Sequence, residues 1–120
     1  MGVNSIRISR LDAKFSRLVR GKAKGRCEYC LKPKRLAELQ NSHFKGRRAK
    51  TVRWDLSNCA ALCFGCHKYL GENPHEHVDF FKKRLGEKGY QALIVQARVG
   101  RKPDQKLIEL AIDQELKKIA

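Results

Sequence analysis

Cys63-Phe64-Gly65-Cys66-His67, read together with Cys27-Glu28-Tyr29-Cys30, decides the fold of this chain. Each Cys-x-x-Cys pair sets two thiolates on one tight turn. Zinc prefers four soft ligands in a tetrahedron, so two such turns complete one closed shell. The pairs are separated by 32 residues, Leu31 to Leu62. A shell of four thiolates leaves no position for substrate. Cys27, Cys30, Cys63 and Cys66 are therefore expected to hold a structural Zn2+, which in small modules adds on the order of 10 kcal/mol to folding. Cys59 is left over and is expected to pack as a small apolar side chain. Five cysteines is an odd number, and Met1-Gly2-Val3-Asn4-Ser5 has no apolar run of the secretory kind. Both argue against a disulfide framework and for a reducing, cytoplasmic setting. The string Cys63 to His67 also has the spacing of covalent haem attachment. That reading orphans Cys27 and Cys30, and the only methionine is Met1, so it is set aside.

The rest of the composition fits a small basic protein. The chain has 120 residues, a length that suggests a single domain over 1–120. Hydrophobic residues make up 42% and charged residues 32%, a globular balance. No stretch is apolar for long enough to span a membrane. Lys and Arg number 27 against 12 acidic residues, a net charge of +15. Such an excess opposes compaction unless a polyanion offsets it, and nucleic acid is the polyanion to expect. A merely solubilising surface or an anionic membrane surface is the alternative. The charge is spread through folded-looking segments rather than gathered in a tail.

Periodicity supplies the elements around the knuckles. Leu11, Phe15, Leu18 and Val19 fall on one helical face over 9–21, with Ser9 and Asp12 at capping-box spacing and Gly21 as its C-cap. Lys22 to Arg26 reads as a basic loop. A strand is expected to run into His43, and Thr51-Val52-Arg53-Trp54 is expected to be a second strand with Val52 and Trp54 on one face. A helix should start near Phe64 and stop at Gly71. Asn73, Pro74 and Glu76 form a helix start, with Val78, Phe81 and Leu85 buried and Gly86 as its end. Glu87 to Val99 reads as a further helix. Asp104 should cap a last one, whose apolar face is Leu107, Leu110, Ala111 and Leu116. Trp54, Phe44 and Tyr69 are expected to be packing residues. The helices from 74–120 would complete the core or form a homodimer seam.

Between and just after the knuckles stand Asn41-Ser42-His43-Phe44, then Trp54-Asp55-Leu56-Ser57-Asn58, then Cys66-His67. In order, His43, Asn58 and His67 spell His, Asn, His. With the two knuckles, this stretch resembles the HNH endonucleases, the ββα-metal or His-Me finger group, in the subgroup with a four-cysteine zinc site. Ser42 to Leu70 is also similar to phage recombination proteins of the NinG/Rap type. The resemblance implies an α+β fold: a ββα-metal core over 27–73, flanked by an N-terminal helix and about three C-terminal helices. It implies a metal-dependent DNA endonuclease acting on double-stranded or branched DNA. His43 would be the general base, His67 would bind a catalytic divalent cation (Mg2+, Mn2+, Ni2+ or Zn2+), and Asn58 would hold the loop between the strands and orient His43. Lys45, Arg47, Arg48 and Arg53 would contact flanking phosphates. Family members commonly carry Asp immediately before the base. This chain has Ser42 there, so His75, His77, Asn41 and Asp55 are candidates for a second metal ligand. A non-catalytic, zinc-dependent nucleic-acid-binding module is the competing reading.

Overall fold

The computed structural model describes residues 8–119. Two antiparallel strands and four helices make up the α+β architecture: α1 (Arg10–Lys22), β1 (Leu39–His43), β2 (Cys59–Cys63), α2 (Phe64–Glu72), α3 (Pro74–Val99) and α4 (Gln105–Ile119). Short 3-10 turns over Leu36–Glu38 and Leu56–Asn58 lead into the two strands. Leu39 pairs with Cys63 at one end of the ribbon and His43 with Cys59 at the other.

The second strand lies later in the chain than Thr51 to Trp54. That segment is a run of turns. Local bonds capture it: the Val52 amide donates to the Ala49 carbonyl at 3.0 Å, and the Asp55 amide to the Val52 carbonyl at 3.2 Å. Val52 is nonetheless fully buried. Its alternation with Trp54 records a loop laid over the core, not a pleat. The strand is instead Cys59-Ala60-Ala61-Leu62-Cys63, whose first four residues are buried. A short apolar run buried on both faces shows no alternation to read.

Helix α1 begins at the expected capping box. The Ser9 hydroxyl accepts from the Asp12 amide, and the Asp12 carboxylate accepts from the Ser9 amide at 2.8 Å. Leu11, Phe15, Leu18 and Val19 are buried, as their spacing requires. Gly21 does not end the helix, which runs on to Lys22. An added Cβ at Gly21 would stand 2.5 Å from Cδ1 of Ile119, so the glycine admits the end of α4. Lys14 and Arg10 reach across to Glu109, and Lys14 also to Asp113, which sets α4 against α1.

Two helix signals resolve differently from their sequence reading. Asn73 makes no side-chain cap for α3; its Nδ2 donates back to the Tyr69 carbonyl of α2 at 2.7 Å. α2 passes Gly71 and ends at Glu72. Gly86 behaves as its sequence reading requires: with φ 76° and ψ 167° it breaks the helical path, so α3 is two helices, one before Gly86 and one over Glu87 to Val99, joined at a kink. On α4, Asp104 caps as expected, accepting from the Lys106 amide at 2.9 Å. The buried face is not Leu107 and Leu110, which are 65% and 58% exposed. Ile112 is buried instead, with Ile108 and Leu116 packed beside the core. Leu116 belongs to both stripes; the observed one runs through Ile108 and Ile112 rather than Leu107 and Leu110, one residue out of phase with the expected one.

No helix among the described residues is long and apolar enough to cross a membrane.

Candidate functional site

The thiols of Cys27, Cys30, Cys63 and Cys66 converge, all their sulfurs lying within 4.8 Å of one another. Thiolates about 2.3 Å from a tetrahedral zinc stand about 3.8 Å apart, so the cluster has the size and chemistry of a structural site. Cys63 and Cys66 thus sit with the first pair, as a closed shell requires and as haem attachment does not. The first knuckle is sewn to the free edge of β2: the Glu28 amide donates to the Ala61 carbonyl at 2.9 Å, and the Ala61 amide to the Glu28 carboxylate at 2.7 Å. Burial would raise the Cys27 thiol, but amide N–H groups of Cys63, Cys30 and Tyr29 pointing at its sulfur outweigh it and bring the pKa down to about 7. Burial and the neighbouring thiols push Cys66 up. Cys59 is fully buried away from the cluster, and burial raises its pKa as well.

His43 closes β1 and His67 lies in the first turns of α2. Both line one cleft of about 650 Å³, together with Asp12, Ala13, Ser16 and Arg20 of α1, Asn41 of β1, and Arg47. The Nε2 of His43 lies 3.0 Å from the Arg53 carbonyl oxygen. A carbonyl only accepts, so Nε2 carries the hydrogen and Nδ1 keeps the lone pair. Burial lowers the His43 pKa, and Arg47 and Arg53 add to that, while the Arg53 carbonyl and Asp12 oppose it. The Nδ1 of His67 bonds the Oε1 of Gln40, which by the same reasoning leaves its Nε2 lone pair available. Burial also lowers the His67 pKa.

Asn58 is fully buried between the strands. Its Oδ1 accepts from the Lys45 amide at 2.8 Å, and its Nδ2 donates to the carbonyls of Lys45 at 2.8 Å and Val52 at 3.1 Å. The whole side chain is spent on the loop that joins β1 to β2.

The expected phosphate-binding residues divide. Arg47 lines the cleft and Arg48 is exposed on the same loop. Lys45 leans over the Phe44 ring, 5.5 Å from its centroid. Arg53 turns inward. Its side chain is 12% exposed, donates through Nε and Nη2 to the Asp12 carboxylate, and stacks 5.0 Å above Trp54. A buried carboxylate holds this guanidinium more tightly than a solvated loop would, so it is committed inside the protein.

Asp12 is the residue that the sequence reading missed as part of the site. Its carboxylate is 7% exposed and accepts from Arg53, from the Trp54 Nε1 at 3.0 Å and from Ser9. Burial opposes its charge, but the Arg53 and Ser9 bonds prevail and hold its pKa down to about 2. Its spacing from Ser9 announces a cap and gives no sign of partners 41 and 42 residues away. Arg20 and Gln40 are likewise cleft residues with no motif to mark them.

Ser42, at the position where the family commonly has an acid, is buried, does not line the cleft and pairs with Ala60. Among the candidates for a second metal ligand, Asp55 is occupied by the Ser57 amide and hydroxyl, and His75 is exposed. Asn41 and His77 differ from these. Oδ1 of Asn41 and Nε2 of His77 are buried with no hydrogen-bond partner. Asn41 lines the cleft, and His77 is near enough to His67 to feel its charge. His77 does not line that cleft; the orphaned Asn41 oxygen shares it with His67, whose Nε2 has a spare lone pair, and oxygen and nitrogen donors of this kind suit a divalent cation of the Mg2+ to Zn2+ range.

Phe44 and Trp54 pack against the core as expected, whereas Tyr69 is exposed. Phe44 meets Phe81 at 5.0 Å and Tyr90 at 5.7 Å, and Tyr69 lies 6.2 Å from Tyr29. Residues 27–72 match the family model of the HNH endonucleases. The match takes in both knuckles, β1, β2 and α2 and leaves out α1, α3 and α4. No curated protein and no solved structure matches the chain.

Proposed function

Given a segment over 27–72 of HNH endonuclease type, we propose that this protein is a metal-dependent endonuclease hydrolysing phosphodiester bonds in double-stranded or branched DNA. The observation that carries the reading is the convergence of His43, His67 and Arg47 on one cleft. Phosphodiester hydrolysis needs an activated water and groups that meet the charge of the phosphorane. His43 takes the water's proton on Nδ1, and its low pKa keeps that nitrogen unprotonated near neutral pH. The Arg53 carbonyl holds the ring in this tautomer. Two groups hold that carbonyl in place: Asn58 binds the adjoining Val52, and Asp12 clamps the Arg53 side chain.

His67 would hold the divalent cation through Nε2, with Gln40 orienting its ring and the orphaned Asn41 oxygen as an added donor. When bound, such a cation supplies positive charge to the phosphorane and the leaving oxygen. Arg47 and its neighbours Lys45 and Arg48 bind flanking phosphates. The structural Zn2+ on Cys27, Cys30, Cys63 and Cys66 fixes α2, and therefore His67, against the strand pair. The NinG/Rap-type resemblance favours a role in phage DNA processing or recombination, in the cytoplasm of the host.

The competing reading is a zinc-dependent nucleic-acid-binding module without catalysis, favoured by the buried Ser42 where the family commonly places an acid. Incubation of a supercoiled plasmid and of a four-way junction with Mg2+, Mn2+ or Ni2+ separates the two. Nicking that EDTA abolishes supports the endonuclease. Salt-sensitive binding with no scission under any metal supports the module.

A further inference from the structure

The cations of this molecule fall into two groups. Arg10 and Lys14 on α1 pair with Glu109 and Asp113, and Arg84 pairs with Glu28. Lys24, Arg26, Lys32 and Lys34 form no ion pair among the described residues, and none is buried. These four belong to the loop after α1 and to the first knuckle. The fold brings them together: Arg26 bridges to Pro33 as in an antiparallel pair, and the Lys34 amide donates to the Gly25 carbonyl at 2.9 Å.

This cluster is continuous with the cleft. Arg20 lines the cleft beside His43 and His67, and its Nη1 donates to the Leu36 carbonyl at 3.4 Å, just past Lys34. Four residues after Arg20 the chain reaches Lys24. On the cleft side α1 presents Ala13 and Ser16 ahead of Arg20, small side chains that leave room for a broad ligand. The loop of Arg47 forms another wall of the same cleft. Lys34 is near enough to Glu38 for its charge to act on that carboxylate, but cations without ion pairs on a chain of net charge +15 still oppose compaction unless a polyanion lies on them.

We propose that Arg20 and the first knuckle, through Lys24, Arg26, Lys32 and Lys34, form a phosphate-binding track that carries a duplex DNA arm away from the cleft. The zinc knuckle then has two tasks: its thiolates hold α2, and its outer surface holds DNA. The inference rests on the reading that the cleft takes DNA, and it adds a surface largely separate from the loop of Lys45, Arg47 and Arg48.

The test is salt-dependent binding, in EDTA-free buffer without catalytic cation, to a linear duplex longer than the 36 Å molecule. Each phosphate that is no longer neutralised lowers the slope of log K against log salt by about 0.9, so a variant carrying K24Q, R26Q, K32Q and K34Q should show a slope shallower by up to about 3.6. A control carrying K83Q, K88Q, R98Q and K106Q removes equal charge from the helical extension and should keep most of the slope. Equal reductions in the two, or none in the first, overturn the proposal. A readout on the unaltered protein guards against misfolding of the variant: DNA should shield Lys24, Lys32 and Lys34 from acetylation by an N-hydroxysuccinimide ester and leave Lys83 and Lys88 reactive. Undiminished labelling of the knuckle lysines in the complex also overturns it. Plasmid nicking by the same preparation keeps the two ideas apart. A protein with a shielded knuckle that never cuts loses the endonuclease reading alone, and one that cuts with its knuckle unshielded loses the track alone.

Discussion

Asp12 serves four partners with one carboxylate: it closes the cap of α1, receives the Trp54 indole, clamps Arg53 and pairs with Arg47 at 4.0 Å. The cap was visible in the sequence because Ser9 and Asp12 are three apart. The clamp was not, because no local spacing announces a bond across 41 residues. For the same reason Arg53 read as a surface cation. The pKa of Asp12 falls from 3.8 to about 2 on folding. The carboxylate therefore contributes stability that is complete above pH 3.8 and is lost as pH falls through about 2. The contribution is on the order of 2 kcal/mol. Asp12→Asn should have a lower urea midpoint than the parent at pH 6 and should lose less further stability between about pH 4 and pH 2. Parallel acid profiles for the two proteins would refute the clamp. His43 gives a second prediction with its own sign. Its folded pKa lies below 6.5, so the base form persists below that pH. The acid limb of cleavage should have its midpoint under pH 6.5, and a midpoint above it would contradict His43 as the neutral base.

At the scale of the elements, a strand pair and a helix meet at four thiols placed to hold one metal ion and at one asparagine. The four thiols lie on the first knuckle, on the last residue of β2 and in the first turn of α2, so a metal held there would tie all three and its loss would uncouple them. Removal of zinc by a strong chelator at neutral pH should abolish cooperative unfolding of the ββα segment, since binding supplies about 10 kcal/mol in modules of this kind. Retention of the full melting transition in metal-free protein would exclude a structural metal. Asn58 makes three bonds from a fully buried position. Asn58→Ala strands a loop amide and two carbonyls, and should cost about 3 kcal/mol, read as a lowered urea midpoint with unchanged zinc content. The knuckles and the His, Asn, His order were legible because spacing on a turn, or a fixed succession of residue types, is a local signal. β2 was not, because Cys-Ala-Ala-Leu-Cys is buried on both faces and has no period. The stripe chosen on α4 escaped for a tertiary reason: both phases are apolar in sequence, and only docking on α1, with Ile119 against Gly21 and Lys14 paired to Glu109 and Asp113, accompanies burial of Ile112 rather than Leu107 and Leu110.

On the scale of the whole molecule, the HNH-type segment is one part of a larger frame. α1 lies outside the matched residues 27–72, yet it forms a wall of the cleft through Ala13, Ser16 and Arg20 and anchors the carbonyl over His43 through Asp12. α4 in turn holds α1 in register through its acidic side. The net charge of +15 forecast a polyanion from composition alone, but not where it lies. Folding decides that by pairing some cations with carboxylates and leaving others in the open. The account stands on His43 acting as base across the cleft from His67. Its most direct measurement is plasmid nicking at saturating protein with Mn2+, comparing the parent with His43→Ala after both have been shown to bind zinc and DNA equally. Loss of the general base should slow nicking by about 10²- to 10⁴-fold. Nicking at the parental rate by His43→Ala would contradict the account.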